Sequence, residues 1–272
     1  MSHLATLSSD SFRWPVLFVS HGSPMFALEP GVSGPALRAW AQSLPLPRAI
    51  VVMSPHWMAS DLRVMTHPRP PTWHDFGGFP APLYQLQYPA PGQPDLARQM
   101  VALLQAQGLS AREDNTRPLD HGAWVPLMHL YPEAQVPVVQ LALPQRYTPE
   151  SLWAIGQALA PLREQGVLII GSGSMTHNLY EVLGQGLRDP AEGRAYAERF
   201  CRWVETALSS GNTQNLLDYR RQAPQAERAH PTDEHFATLF FAMGAAGADA
   251  RPQYLTREIM LHALAMDSLV LQ

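Results

Sequence analysis

The chain has a single cysteine, Cys201, among 272 residues, so no intrachain disulfide can brace it. That cysteine falls in AYAERFCRWVETAL, a helical pattern in which a thiol reads as a buried structural group. No apolar run approaches the ~18 residues of a membrane-spanning helix. The opening MSHLATLSSDSFRW lacks the apolar core of a signal peptide, and residues 1–13 read as a loose segment. The expectation is a soluble, cytoplasmic protein with no membrane partner. Lys/Arg-rich blocks are also missing: 19 basic against 23 acidic side chains give a formal charge of −4. Nothing in that balance attracts nucleic acid. Familiar motifs are lacking as well. GSGSM is neither GxGxxG nor a P-loop, Ser172 and Ser174 lack a GxSxG elbow, and no HExxH or paired CxxC occurs.

What the chain does have is an ordinary globular share of hydrophobic residues, 46%, and an unusual number of prolines, 26. Many of those prolines lie in 68–94 (PRPPTWHDFGGFPAPLYQLQYPAPGQP), together with Trp73, Phe76, Phe79, Tyr84 and Tyr88. Proline fixes φ and removes a donor, so this stretch reads as a long stiff loop that walls a site or packs on the surface. Elsewhere short apolar strands alternate with amphipathic helices. WPVLFVS (14–20), RAIVVMS (48–54), VPVVQLAL (136–143) and VLIIGSG (167–173) read as buried strands. GPALRAWAQSL (34–44), PDLARQMVALLQAQG (94–108) and TPESLWAIGQALAPLREQG (148–166) read as helices, the last capped by Thr148 with Pro149 at its first position. From about 190 the pattern turns mainly helical, with a short strand near 259–264. The fold class is α/β: one catalytic domain over 1–272, with a mostly parallel or mixed sheet flanked by helices on both faces.

In such sheets functional residues gather beyond the carboxyl ends of the strands. Of the eleven histidines, His21 follows the first strand directly, His56 lies two residues past the second, and His177 four residues past VLIIGSG. His121 sits in LDHGAWVPL, ahead of a helix. Imidazoles from three strand ends converge on one edge of the sheet, where they can hold zinc or iron. His3, His67, His74, His129, His230 and His262 lack that placement and read as structural or solvent-facing, although His74 lies in the aromatic loop. A further candidate is HPTDEHFATLFFAMGA (230–245), a helix capped by Thr232 with a stripe of Phe236, Leu239, Phe240 and Met243. At about 100° per residue, Glu234 points away from that stripe and His235 lies at its edge.

The segments HGSPMFALEPG, SPHW, LDHGAWVPL, GSGSMTHNL and HPTDEHF, in that order, resemble the bacterial 4,5-DOPA extradiol dioxygenase family. That family belongs to the class III extradiol ring-cleavage dioxygenases, related to protocatechuate 4,5-dioxygenase. The resemblance runs from about residue 15 to the C-terminus. It implies metal ligands at His21, His56 and His235, and a role for His177 in moving protons or completing the shell. It also implies a further active-site histidine at His121. The implied partners are a small catechol and O2, and the implied cofactor is one divalent metal. The broader class binds iron through two histidines and a glutamate; the choice of His235 over Glu234 makes Zn(II) as suitable at rest as the Fe(II) needed for turnover. Trp57, Trp124 and the 73–88 aromatics wall the substrate ring or belong to the core. Three other readings are kept: a zinc hydrolase, a non-catalytic Memo-like binding protein with a vestigial metal pocket, and, last, a purely structural metal site, a kind usually closed by cysteine-rich shells.

Overall fold

The computed structural model describes residues 13–183 and 189–272; the segment read as loose lies, but for Arg13, outside them. In chain order the strands are β1 (Val16–Ser20), β2 (Ala49–Ala59), β3 (Leu62–Met65), β4 (Ala111–Asp114), β5 (Val138–Pro144), β6 (Val167–Gly173), β7 (Pro252–Thr256), β8 (Ile259–Met260), β9 (Leu264–Ala265) and β10 (Ser268–Leu271). Eight of them form one mixed sheet in the order β4-β3-β5-β2-β6-β1-β10-β7, and β8 pairs with β9 apart from it. The inner strands β5, β2, β6 and β1 run parallel. Their carboxyl ends therefore share one edge.

The helices are α1 (Ser33–Gln42), α2 (Pro94–Ala106), α3 (His121–Leu130), α4 (Pro149–Leu159), α5 (Leu179–Val182), α6 (Pro190–Ser209), α7 (Thr213–Leu217), α8 (Tyr219–Gln222), α9 (Ala226–Ala229) and α10 (Glu234–Ala246). Successive strand residues point to opposite faces, and here both faces are covered. Val16 and Phe18 of β1 join the core formed with α2, α4, α6 and α10. Leu17 and Val19 join the core formed with α1 and α3. This explains why the strands read as unbroken apolar runs.

Several expectations need correction. The short strands β3, before the proline-rich segment, and β4, after α2, gave no periodic signal. The C-terminal region carries four strands, and β10 inserts antiparallel between β1 and β7. β2 does not stop at Ser54: it continues to Ala59, with a register shift against β5 between Ser54 and Met58. His56 thus sits in an irregularity inside the strand, where Pro55 supplies no ladder N–H. His121 is the first residue of α3, not a loop residue before it; Asp120 caps that helix by accepting from the Ala123 N–H. The cap of α10 is Asp233, not Thr232, and no side chain caps it. The Thr148 cap stands, with Ser151 completing a reciprocal capping box.

α10 is buried from His235 to Ala246, which no single stripe describes. It lies against α4 so closely that a Cβ on Gly244 would strike the Trp153 carbonyl, and one on Gly156 would strike the Phe241 carbonyl. Neither obstacle is the flexible end of a side chain. Gly244→Ala is expected to lower stability by about 1–3 kcal/mol through overpacking. A urea midpoint equal to that of the unmodified chain would show that the two helices separate without cost.

Candidate metal centre

Two strand ends, an irregular strand and two helix starts meet at the sheet edge. His21 follows β1, His56 lies in the irregular part of β2, His177 follows β6, His121 opens α3 and His235 lies in the first turn of α10. The His21–His56, His21–His235 and His56–His235 ring centroids are 5.1, 5.3 and 5.1 Å apart. His121 lies 3.9 Å from His56 and 5.5 Å from His21, and His177 stacks on His235 at 3.5 Å. By their ligand atoms, His21, His56 and His121 form one close group, and His177, Glu234 and His235 form another. The structure thus brings together every histidine singled out for the site. Glu234 does not point away as its helix angle suggested: it lines the same cavity as His235.

The hydrogen bonds fix which ring nitrogens face one another. Ser172 Oγ donates to the Gly122 carbonyl, so it accepts from His21 Nδ1–H at 2.9 Å. An uncharged His21 then presents a lone pair on Nε2, which lies 3.1 Å from His56 Nε2. Glu234 Oε1 accepts from His235 Nδ1–H at 3.1 Å, leaving His235 Nε2 buried with no partner among the described residues. Asp75 Oδ1 accepts from His121 Nδ1–H at 2.9 Å. In each case an acceptor holds the outer nitrogen and frees the inner one, the usual second-shell arrangement around metal-binding imidazoles. Burial, reinforced by the neighbouring imidazoles, pulls His21 and His235 well below the ordinary histidine range. Burial likewise brings His56 and His177 to about 4. At neutral pH these four rings are uncharged donors.

The approach of the elements is glycine-dependent. A Cβ on Gly122 would meet Ser54 Oγ, His56 Cδ2 (2.8 Å) and His21 Cε1 (3.1 Å). One on Gly173 would strike the His235 carbonyl, which also accepts from the Ser174 N–H at 3.1 Å. Gly171-Ser172-Gly173 is therefore buried strand pressed against α10. A cavity of about 730 Å³ opens over the histidines, walled by Phe76, Phe79, Leu179, Val182 and Leu264 among others.

Residues 16–267 match the family described as the catalytic LigB subunit of aromatic ring-opening dioxygenase. The chain belongs to the LigB family. As a member it is an aromatic ring-opening dioxygenase. It is 43% identical over 253 residues to a 4,5-DOPA dioxygenase extradiol of Beta vulgaris, covering 91% of this chain and 92% of that one. It is 36% identical over 242 residues to a protein of the same description from Escherichia coli strain K12, covering 87% and 86%. A crystal structure of an uncharacterized Escherichia coli K12 protein superposes with a TM-score of 0.77 at 28% identity, over 96% of this chain and 100% of that one.

Around this LigB-family site the remaining expectations sort cleanly. His129, His230 and His74 bond to the carbonyls of Phe26, Met175 and Leu86, and His67 accepts from the Arg69 N–H. These are structural roles. His3 lies outside the described residues. Of the aromatic residues, Phe76 and Phe79 reach the cavity; Trp124 is buried behind them, and Trp57 packs against the Arg117 guanidinium. Among the described residues no helix is long and apolar enough to cross a membrane. Cys201 is a free, half-buried thiol of α6, raised well above its usual range by burial.

Sequence reasoning missed Asp120. Fully buried, it accepts from Ser54 Oγ (2.8 Å), Arg117 Nη2 (2.6 Å), the Ala123 N–H (3.2 Å) and Gln140 Nε2. Arg117 also donates to the His56 carbonyl at 3.0 Å, and Ser54 Oγ accepts from the His56 N–H at 3.2 Å. This network clamps the irregular stretch of β2 that presents His56. A helix-cap signal was legible in Leu-Asp-His-Gly, but nothing in it marked a four-way hub. Removing one partner of a buried ion pair strands the other, so Asp120→Ala is expected to cost about 3–5 kcal/mol. A thermal melt within about 1 kcal/mol of the unmodified protein would show that solvent replaces the carboxylate freely.

Proposed function

We propose that this enzyme is an extradiol dioxygenase that holds one divalent metal through His21, His56 and His235, with His177 at the edge of the shell, and opens a small catechol such as DOPA with O2. The observation that carries the reading is the buried Nε2 of His235, without a partner among the described residues, on a ring whose centroid lies 5.3 and 5.1 Å from those of His21 and His56, whose own Nε2 atoms face each other at 3.1 Å. Two nitrogens bound to one tetrahedral ion at about 2.1 Å lie about 3.4 Å apart, close to the 3.1 Å of the His21–His56 pair. The donor set, uncharged imidazole nitrogen, suits zinc and iron alike. Glu234 enters as the acceptor that orients His235. The names of the relatives support extradiol cleavage of DOPA.

A bound Fe(II) would gather the catechol oxygens and dioxygen on one centre and let electrons pass between them. The chain's own residues do the rest. Phe76 and Phe79 present apolar walls to a flat ring and exclude water. His177, uncharged at neutral pH and facing the cavity, takes a proton from a catechol hydroxyl and returns it as the ring opens. His121 accepts a hydrogen bond from the substrate.

Protein loaded anaerobically with Fe(II) is expected to consume O2 in step with DOPA or a related catechol and to give a yellow semialdehyde-type product. The zinc form, unable to exchange electrons, is expected to be inert. Flat oxygen-electrode traces across a catechol panel would overturn the reading; oxygen-independent ester or amide turnover by the zinc form would point to a hydrolase. His177→Ala is expected to keep at least half its metal while ring opening falls by roughly 10² or more. Complete metal loss in that variant would make His177 an obligatory ligand, and unchanged turnover would remove it from the mechanism.

A further inference from the structure

The aromatic wall and the histidine cluster are joined at one carboxylate, Asp75, in the proline-rich segment. Its side chain is 8% exposed. Oδ1 accepts twice from one residue, from the His121 backbone N–H at 3.0 Å and from His121 Nδ1–H at 2.9 Å. Oδ2 lies 4.0 Å from His56 Nδ1, beyond hydrogen-bond range. The residues that follow, Phe76 to Phe79, line the cavity, and the Phe76 ring stands edge-on to His121 with centroids 5.5 Å apart.

The segment does not need Asp75 to stay in place. Trp73 N–H donates to the Leu119 carbonyl (2.8 Å), Leu119 N–H donates to the Pro71 carbonyl (3.0 Å), and Trp124 Nε1–H donates to the Trp73 carbonyl (2.9 Å). Asp75 is thus free to serve the imidazole. An uncharged imidazole carries its proton on either nitrogen, and its partner decides which. A carboxylate on Nδ1 forces the proton there and leaves Nε2 as an acceptor. Without it the ring can turn a donor N–H toward the cavity, where a catechol hydroxyl would meet a donor instead of an acceptor.

We propose that Asp75 is the positioning residue of this site, holding His121 as its Nδ1–H form with Nε2 toward the cavity, in register with the Phe76–Phe79 wall. The inference rests on the catechol reading above for its consequence in catalysis, but not for the tautomer itself. In histidine-selective ¹⁵N spectra of the full chain loaded with zinc, the His121 ring is expected to show a protonated Nδ1. Asp75→Ala should shift it toward a mixture, and Asp75→Glu should restore part of the Nδ1–H signal. Metal stoichiometry should stay near that of the unmodified protein throughout. With Fe(II), Asp75→Ala is expected to lower kcat roughly 10–100-fold, with KM moving much less. In a His121→Ala background the same change should cost less than about threefold more, because groups acting through one another are not additive.

An unshifted His121 tautomer in Asp75→Ala would overturn the proposal. So would losses that multiply in the double variant, or metal loss on removing Asp75, which would put the carboxylate in the shell. If the tautomer shifts as expected but no catechol is opened by the unmodified protein, the catechol reading fails and the positioning role stands.

Discussion

The site depends on one close contact, the His235 carbonyl lying where a Cβ on Gly173 would be. A strand and a helix pack at side-chain distance unless one of them gives up its side chains. β6 does so at Gly171 and Gly173, and α10 comes down onto it, with the Ser174 N–H closing on the His235 carbonyl. The first turn of α10 is thereby registered against the end of β6. His235, 58 residues beyond His177 in the chain, ends up stacked on it at 3.5 Å. The Gly244–Trp153 approach does the same on the opposite side of the helix, so α10 is clamped between α4 and the sheet and has little freedom to slide.

That registration forces several imidazoles into one buried place, which is tolerable only if they are uncharged. Burial is the largest cause of the depressed basicity of His21, His56, His177 and His235, and mutual proximity adds to it for each. Desolvation and repulsion together would make protonation of the whole cluster far costlier than protonation of one exposed ring. A neutral imidazole still has one donor and one acceptor to satisfy. Ser172, Asp75 and Glu234 take the Nδ1 donors of His21, His121 and His235. The unspent lone pairs turn inward, and a buried lone pair without a donor is costly to the fold. The arrangement makes physical sense as a receptacle for a cation.

How much of this was legible in the sequence follows from which residues obey periodic rules. The inner parallel strands were readable as apolar runs, and with them the shared carboxyl edge; His21 and His177 fell where that rule puts them. His56 was found with the wrong local structure, because a run ending in Ser54-Pro55 looks like a strand end and not an irregular strand. His235 was preferred over Glu234 by an angle measured from an apolar stripe. α10 is buried all round, so the stripe carried no information, and Glu234 shares the cavity. What distinguishes His235 in the structure is the glycine contact that fixes its carbonyl and the bond from its Nδ1–H to Glu234. β10 was missed because four residues, Ser268–Leu271, are too few to show an alternation. Asp75 and Asp120 were missed because a carboxylate in a loop or at a helix cap looks the same in sequence whether it faces water or four donors.

The division of labour between scaffold and loop has a mechanical consequence. His21 follows directly on β1, His177 lies four residues past the end of β6, His56 sits inside β2, and His235 is on a helix pinned to the sheet, so their relative positions follow the sheet. The ring wall comes from a segment whose prolines stiffen it without giving it strand or helix partners along most of its length. Asp75 is where the two systems touch, through a residue that belongs to neither the strands nor the loop: His121, at the start of α3. Gly122 brings that helix start against the His21 and His56 rings, and Asp120 ties it through Ser54 and Arg117 to the His56 backbone. A displacement of the loop is therefore felt at His121 before it reaches His21 or His235. Residues 76–79 can therefore change in size with the relative positions of His21, His56 and His235 intact, because those follow the sheet and not the loop.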